Sequence, residues 1–189
     1  MHWTVLGFLA GAAGAWLLRR LHRGATVPWP WCAVPTAVLW TVAALRHPPS
    51  HWLAVTLALG WLAVPLTATD LLHRRLPDAL TLPAYPVLAA LLVPAGLDVG
   101  LRALAGGLVF GLGHLVVRLL SPGSLGGGDV KLAVPLGAVL GALSYGALAL
   151  GAILASGLSL LVGLTRPAGG IPHGPGLLAS TWLLAVFLL

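Results

Sequence analysis

Apolar positions in this chain form long continuous runs, interrupted by short polar, charged or Pro/Gly-rich breaks. They do not alternate with polar ones. The runs cover approximately 3–18, 28–45, 52–70, 79–96, 101–120, 130–143, 145–164 and 175–189. Strict alternation would point to the strands of a membrane barrel, whereas unbroken runs point to helices. The stretch 130–164 has no charge after Lys131. It is too long for one helix across a hydrocarbon core that needs about 20 residues, so the pattern predicts two short spans with a tight turn near Leu143-Ser144-Tyr145. The predicted fold is all-α: a polytopic membrane helical bundle of about eight transmembrane helices, making a single domain over residues 1–189.

Composition removes the soluble alternative. Hydrophobic residues make up 59 % of the chain and charged residues 7 %, against about a quarter charged in an ordinary soluble domain. Mean hydropathy is +1.00. The single Cys32 excludes an internal disulfide and a CxxC…CxxC zinc module. The first run is followed, not preceded, by Arg19-Arg20-Leu21-His22-Arg23. A secretory signal has its charges before the apolar segment, so a retained first span with an outer N-terminus is expected.

Orientation follows from the basic residues. With the N-terminus outside, Arg19, Arg20, Arg23, Arg74, Arg75, Arg118, Lys131 and Arg166 fall on the cytoplasmic side, and only Arg46 and Arg102 fall outside. This is the positive-inside bias of a multi-pass protein of the inner (plasma) membrane. The net charge of +6 is thereby accounted for by basic loops beside lipid headgroups, and no nucleic-acid partner is implied. The eight Trp lie mostly near the proposed span ends, as interfacial anchors do. Glycines four apart (Gly7 and Gly11, Gly107 and Gly111, Gly137 and Gly141) predict close helix packing.

The acids carry the candidate chemistry. There is no Glu, and the four Asp are Asp70, Asp78, Asp98 and Asp129. Asp70 and Asp129 lie at the ends of different spans, both on the cytoplasmic side. Taken singly, each has a bland reading: Asp70 pairs with Arg74 one turn on, and Asp129 caps a helix beginning at Val130. Taken together they form a candidate catalytic pair. Two apposed carboxyls cannot both ionise, so one takes a proton from water while the other polarises a carbonyl. The run Gly126-Gly127-Gly128 before Asp129 offers flexible backbone that an extended peptide can approach without side chains in the way.

Three segments in this order resemble the type IV prepilin peptidases, membrane aspartyl proteases of bacteria and archaea. They are Asp70-Leu-Leu-His-Arg-Arg-Leu-Pro77-Asp78, then Gly126-Gly-Gly128-Asp129-Val-Lys131, then Ile171-Pro172-His173-Gly174-Pro175. The resemblance covers about residues 52–189. It implies that Asp70 and Asp129 are catalytic, and that Gly126, Gly128, Lys131, Pro77, Asp78, Pro172 and Gly174 bind substrate or shape the site. It also implies a substrate, a prepilin or pseudopilin precursor whose short basic leader is cut after a Gly at the cytoplasmic face. A basic cytoplasmic face does not itself attract such a leader, so anionic membrane lipids are expected to assist. Larger bacterial members carry a CxxC pair and N-methylate the new terminus. These 189 residues hold no such pair, and methyltransferase activity is not expected. His173 stands where the family has an aromatic residue. Presenilin-type proteases share Gly-x-Gly-Asp, but a Tyr precedes their other Asp, and Thr69 does so here.

Among the remaining polar residues, Lys131 either tunes the pair or snorkels to the headgroups. Asp78 is expected to N-cap the following span, Asp98 to be an outer-loop residue, and His114 to pack through a hydrogen bond within its span. The seven His show no metal-ligand spacing, so neither a metal nor a cofactor is expected. The competing functional classes are a small proton- or ion-coupled transporter titrating Asp70 and Asp129, which calls for mid-membrane carboxylates and an internal repeat, and a catalytically silent assembly factor of a pilus or secretion system.

Overall fold

The computed structural model describes residues 2–165 and 171–188. Arg166, counted above among the inner-side cations, lies outside the described residues. The helices are α1 (His2–Arg20), α2 (Pro30–Leu45), α3 (Ser50–His73), α4 (Asp78–Leu92, extended by a 3-10 turn Val93–Ala95), α5 (Leu97–Leu120), α6 (Gly127–Leu143), α7 (Tyr145–Thr165) and α8 (Gly174–Phe187). The all-helical expectation holds, as does the division at Ser144. That residue is extended, and its Oγ accepts the Ala147 N–H at 2.9 Å, capping α7. Helices α3, α4 with its 3-10 extension, α5 and α7 are long and apolar enough to cross a bilayer, while α2 and α8 are shorter apolar helices. On α5, Leu101, Leu104, Leu108, Leu112, Leu115 and Leu119 make an exposed ridge at helical spacing. Such a face is the ordinary solvent-facing surface of a helix in lipid. This is a membrane protein.

The core lies around α6, whose Leu132, Ala133, Leu136, Val139 and Leu140 are fully buried. Small residues bring its neighbours close. A Cβ on Gly106 would meet the Gly137 carbonyl oxygen at 2.5 Å, and one on Gly141 would meet the Gly106 Cα at 2.8 Å. Gly7 and Gly11 let α1 approach α2 in the same way, against the Cα atoms of Ala37 and Ala33. The glycine pairs expected to be packing positions are therefore packing positions, with Gly106 joining Gly107 and Gly111 on α5.

The tryptophans divide differently from the expectation. Three of them bridge helices, with indole N–H groups donating to backbone carbonyls: Trp40 to Leu57 at 2.9 Å, Trp61 to Ala10 at 2.9 Å and Trp182 to Thr56 at 3.1 Å. Inside an apolar bundle a lone indole N–H needs such an acceptor, so position along the run was a poor guide to their role. Successive helices reverse direction, and the C-terminal ends of α3 and α5 meet the N-terminal ends of α4, α6 and α8 at one end of the bundle. Arg74, Arg75, Arg118 and Lys131 stand at that end.

Candidate active site

Both candidate carboxylates lie at this basic end, and both are nearly inaccessible: Asp70 is 5 % exposed and Asp129 is 7 % exposed. Asp70 sits one turn inside α3, because the helix runs on to His73 and does not stop at residue 70. Arg74 ends that helix in the left-handed conformation, its N–H donating to the Asp70 carbonyl at 2.8 Å. Asp129 is likewise inside its helix. α6 begins at Gly127, so Gly127 and Gly128 form its first turn, and of the glycine run only Gly126 is extended. Asp129 is the third helical residue, not the cap. Its Oδ2 reaches back to accept the Gly126 N–H at 3.0 Å, satisfying a donor that a helix start leaves open.

The other carboxylate is held by a third helix. The Gly174 N–H, first in α8, donates to Asp70 Oδ2 at 3.1 Å across 104 residues of sequence. Each Asp thus accepts an N–H from the start of a helix, Asp129 from that of its own α6 and Asp70 from that of α8, although Asp70 itself lies in the last turn of α3. The two share a cavity of about 580 Å³, also lined by Arg23, Arg74, Arg75, Leu76, Asp78 and Arg118. Asp129 Oδ1 is buried without a protein hydrogen-bond partner, so this oxygen keeps free acceptor capacity. Two carboxyls in one cavity can divide acid and base roles between them. Among the described residues no cluster suited to a metal ion occurs.

The glycines here give room to side chains. A Cβ on Gly174 would meet Asp70 Oδ2 at 2.9 Å and Leu76 Cδ2 at 3.3 Å, and a Cβ on Gly128 would meet Leu76 Cβ at 2.8 Å. Leu76, 8 % exposed, is therefore wedged between the starts of α6 and α8. Gly127 lies under the Arg118 guanidinium, whose central carbon a Cβ would approach to 3.3 Å. Sequence reasoning did not single out Leu76, used Arg118 only for orientation, and took Gly127 only as part of the glycine run. The visible signal was only that Leu76 is the apolar residue in an otherwise basic connection.

Of the other expected site residues, Pro77 is buried and precedes α4 as its N-cap. Asp78 is the first residue of α4 and does not cap it by its side chain. Instead Asp78 Oδ1 accepts from Lys131 Nζ at 2.8 Å, both side chains being 46 % exposed. Lys131 is thus paired across to α4, and its carbonyl accepts the Tyr85 hydroxyl at 2.6 Å. These contacts fasten α4 to α6 beside the cavity. A proline cannot cap through a side-chain oxygen, yet it suits a helix entrance, which leaves the Asp78 carboxylate free for a longer-range partner. Gly126 is exposed at the cavity and Pro172 is buried before α8. Asp98 lies in the first turn of α5, at the opposite end of that helix from Arg118. His114 makes its expected bond within the helix, Nδ1 to the Phe110 carbonyl at 2.8 Å.

Comparison with known proteins bears on the same residues. The sequence model of the type IV leader peptidase family matches residues 57–164, a stretch that contains both Asp70 and Asp129. The prepilin leader peptidase/N-methyltransferase of Aeromonas salmonicida (strain A449) is 36 % identical over 166 residues, covering 82 % of this chain and 56 % of that protein. The Aeromonas hydrophila protein of the same name is 35 % identical over 185 residues, covering 89 % and 63 %. That of Bacillus subtilis (strain 168) is 26 % identical over 166 residues, covering 84 % and 66 %. This chain therefore spans roughly three fifths of the length of these relatives. No solved structure matches it. With the family match running through both buried carboxylates and the similarity extending over most of its length, this chain belongs to the type IV leader peptidase family.

Proposed function

We propose that the chain is a membrane aspartic endopeptidase that removes the basic leader of prepilin or pseudopilin precursors, with Asp70 and Asp129 as its catalytic pair. The observation that carries this reading is the meeting of two buried carboxylates from different helices in one cavity at the basic end of the bundle. In the reaction the ionised carboxylate takes a proton from a water molecule, and the resulting nucleophile attacks the scissile carbonyl carbon. The protonated carboxyl donates to the carbonyl oxygen as charge develops there. Collapse of the tetrahedral intermediate breaks the C–N bond, and a proton passes to the departing amine. The two carboxyls supply the acid and the base of this sequence, so cleavage is expected to persist in a chelator.

Family membership supports a substrate cut after a Gly where its leader joins an apolar helix. The basic residues on one end support placing that cut at the cytoplasmic face of the inner membrane. Arg23, Arg74, Arg75 and Arg118 line the cavity, so the leader is drawn in by anionic lipid headgroups and not by the cavity's net charge.

The test is cleavage of a purified precursor in detergent or proteoliposomes, followed by mass spectrometry, with Asp70→Asn and Asp129→Asn beside the unaltered chain. A cut after the leader Gly that disappears in both variants supports the reading. Cleavage that survives either substitution overturns the assigned pair.

A further inference from the structure

His173 belongs to none of the chemistry described so far, yet it is tied to three helices. Its Nδ1 lies 2.8 Å from the Ser159 hydroxyl of α7. The same hydroxyl lies 2.7 Å from the Ala155 carbonyl. Two oxygens that close need a hydrogen between them, and a carbonyl has none, so Ser159 donates to Ala155. The hydroxyl's one hydrogen is then committed. Its contact with His173 is one in which Nδ1–H donates and Ser159 Oγ accepts, which fixes the imidazole tautomer. On its other side the His173 ring meets that of His114 on α5, centroids 5.6 Å apart. His114 likewise carries its hydrogen on Nδ1, because its partner is the Phe110 carbonyl.

The peptide unit that follows His173 contains the Gly174 N–H, the donor to Asp70 Oδ2 at 3.1 Å. Its own carbonyl accepts the first helical hydrogen bond of α8, from Leu177 at 3.1 Å. The start of α8 is also pressed onto the same serine, since a Cβ on Gly176 would meet Ser159 Oγ and the Ala155 carbonyl at 2.5 Å each. The direction of the Gly174 N–H is therefore set by the backbone angles of His173, the residue whose ring meets Ser159.

We infer that His173 is a positioning residue: anchored by Ser159, it aims the Gly174 N–H at Asp70. The inference rests on the proposed function for its catalytic consequence, but the aim itself is a matter of geometry. A phenyl ring at this position fills the space against His114 and supplies no donor to Ser159. An asparagine does the reverse, since its amide nitrogen reaches the place of Nδ1.

Two readouts test this. His173→Phe, His173→Asn, Ser159→Ala and the double variant His173→Phe/Ser159→Ala are compared in the cleavage assay. His173→Phe and Ser159→Ala are each expected to lower kcat about tenfold at unchanged KM, as small misplacements of a reacting group do. The double variant is expected to be no worse than either, and His173→Asn to recover most of the rate. Losses that multiply in the double variant, or an Asn variant as slow as the Phe variant, overturn the anchor.

The second readout needs no catalysis. His173-Gly174 is the only His-Gly pair in the sequence, so labelling His carbonyl carbons and Gly amide nitrogens isolates one amide in an NMR spectrum. That amide proton is expected to move upfield in Ser159→Ala and in Asp70→Asn, variants that keep the His-Gly pair. An unmoved signal in Ser159→Ala overturns the inference. Failure of the unaltered chain to cut a precursor overturns the proposed function alone, and the amide signal then decides the positioning by itself.

Discussion

Along the seam between α5 and α6, a methyl on Gly106 or Gly141 would run into the facing backbone, with contacts of 2.5–2.8 Å. At the basic end, a methyl on Gly174 would run into Asp70 Oδ2 at 2.9 Å, and one on Gly128 into Leu76 Cβ at 2.8 Å. The residue type and the shortage of space are alike, but the groups that need the space differ. In the seam two main chains touch, and neither can retreat without parting the helices. At Gly174 the end of the Asp70 side chain occupies the room and can turn aside, whereas the Leu76 Cβ beside Gly128 is tied to its own backbone. Crowding in the seam should therefore cost stability, whereas crowding at Gly174 should cost alignment of the carboxylates.

The largest expected effect falls wholly on one side of that comparison. Asp70→Asn or Asp129→Asn removes one member of the proposed acid–base pair and should lower the cleavage rate by ~10²–10⁴-fold. Thermal unfolding in detergent should barely change, because the replacement keeps shape and hydrogen-bonding capacity. In the unaltered chain, rate against pH should be bell-shaped. It should fall at low pH when both carboxyls are protonated, and at high pH when both are ionised. A rate that climbs to a plateau with one ionisation would show that the two do not act as a coupled pair.

Gly106→Ala and Gly141→Ala come next, as the test of the seam. Overpacking of a close-packed contact costs about 1–3 kcal/mol, and unyielding backbone puts these at the upper part of that range. The midpoint of unfolding should drop, while the molecules that remain folded cleave at nearly the full rate. Gly174→Ala should behave in the opposite way: about 10²-fold in kcat with a minor change in unfolding midpoint. If the seam variants lose rate without stability, or Gly174→Ala loses stability without rate, the distinction between the two regions fails.

The smallest effect belongs to the Asp78–Lys131 pair. Both side chains are 46 % exposed, and ion pairs so placed contribute about 0–1 kcal/mol. Asp78→Asn and Lys131→Gln should each change unfolding and cleavage only slightly, and the double variant should equal the worse single one. A loss in Lys131→Gln comparable to that in Asp129→Asn would instead place the lysine in the chemistry.

Much of this architecture was legible because lipid imposes a simple rule. A segment that crosses hydrocarbon must be long, apolar and helical, so α3, α5 and α7 are plain in the sequence, and even the turn at Ser144 follows from length. Helix ends were less legible. Asp70 and Asp129 read as terminal residues because polarity begins there, yet α3 continues to His73 and α6 starts at Gly127. Glycines before a helix look flexible in a sequence, and they become the first turn of α6 because Arg118 and Leu76 pack upon them. Trp40, Trp61 and Trp182 could not be sorted from interfacial tryptophans, since their carbonyl acceptors lie 17, 51 and 126 residues away.

By itself, then, the sequence determined the class of molecule, the number of helices, the family and the two acids to watch. These depend on composition, run length and short motifs, which are local properties. The tertiary structure alone decided that α8 supplies a hydrogen bond to Asp70, that Leu76 separates the starts of α6 and α8, and that His173 is locked by Ser159. Each of these joins residues that are not neighbours in the chain, and their approach is set by how the helices pack and not by any one segment's preference.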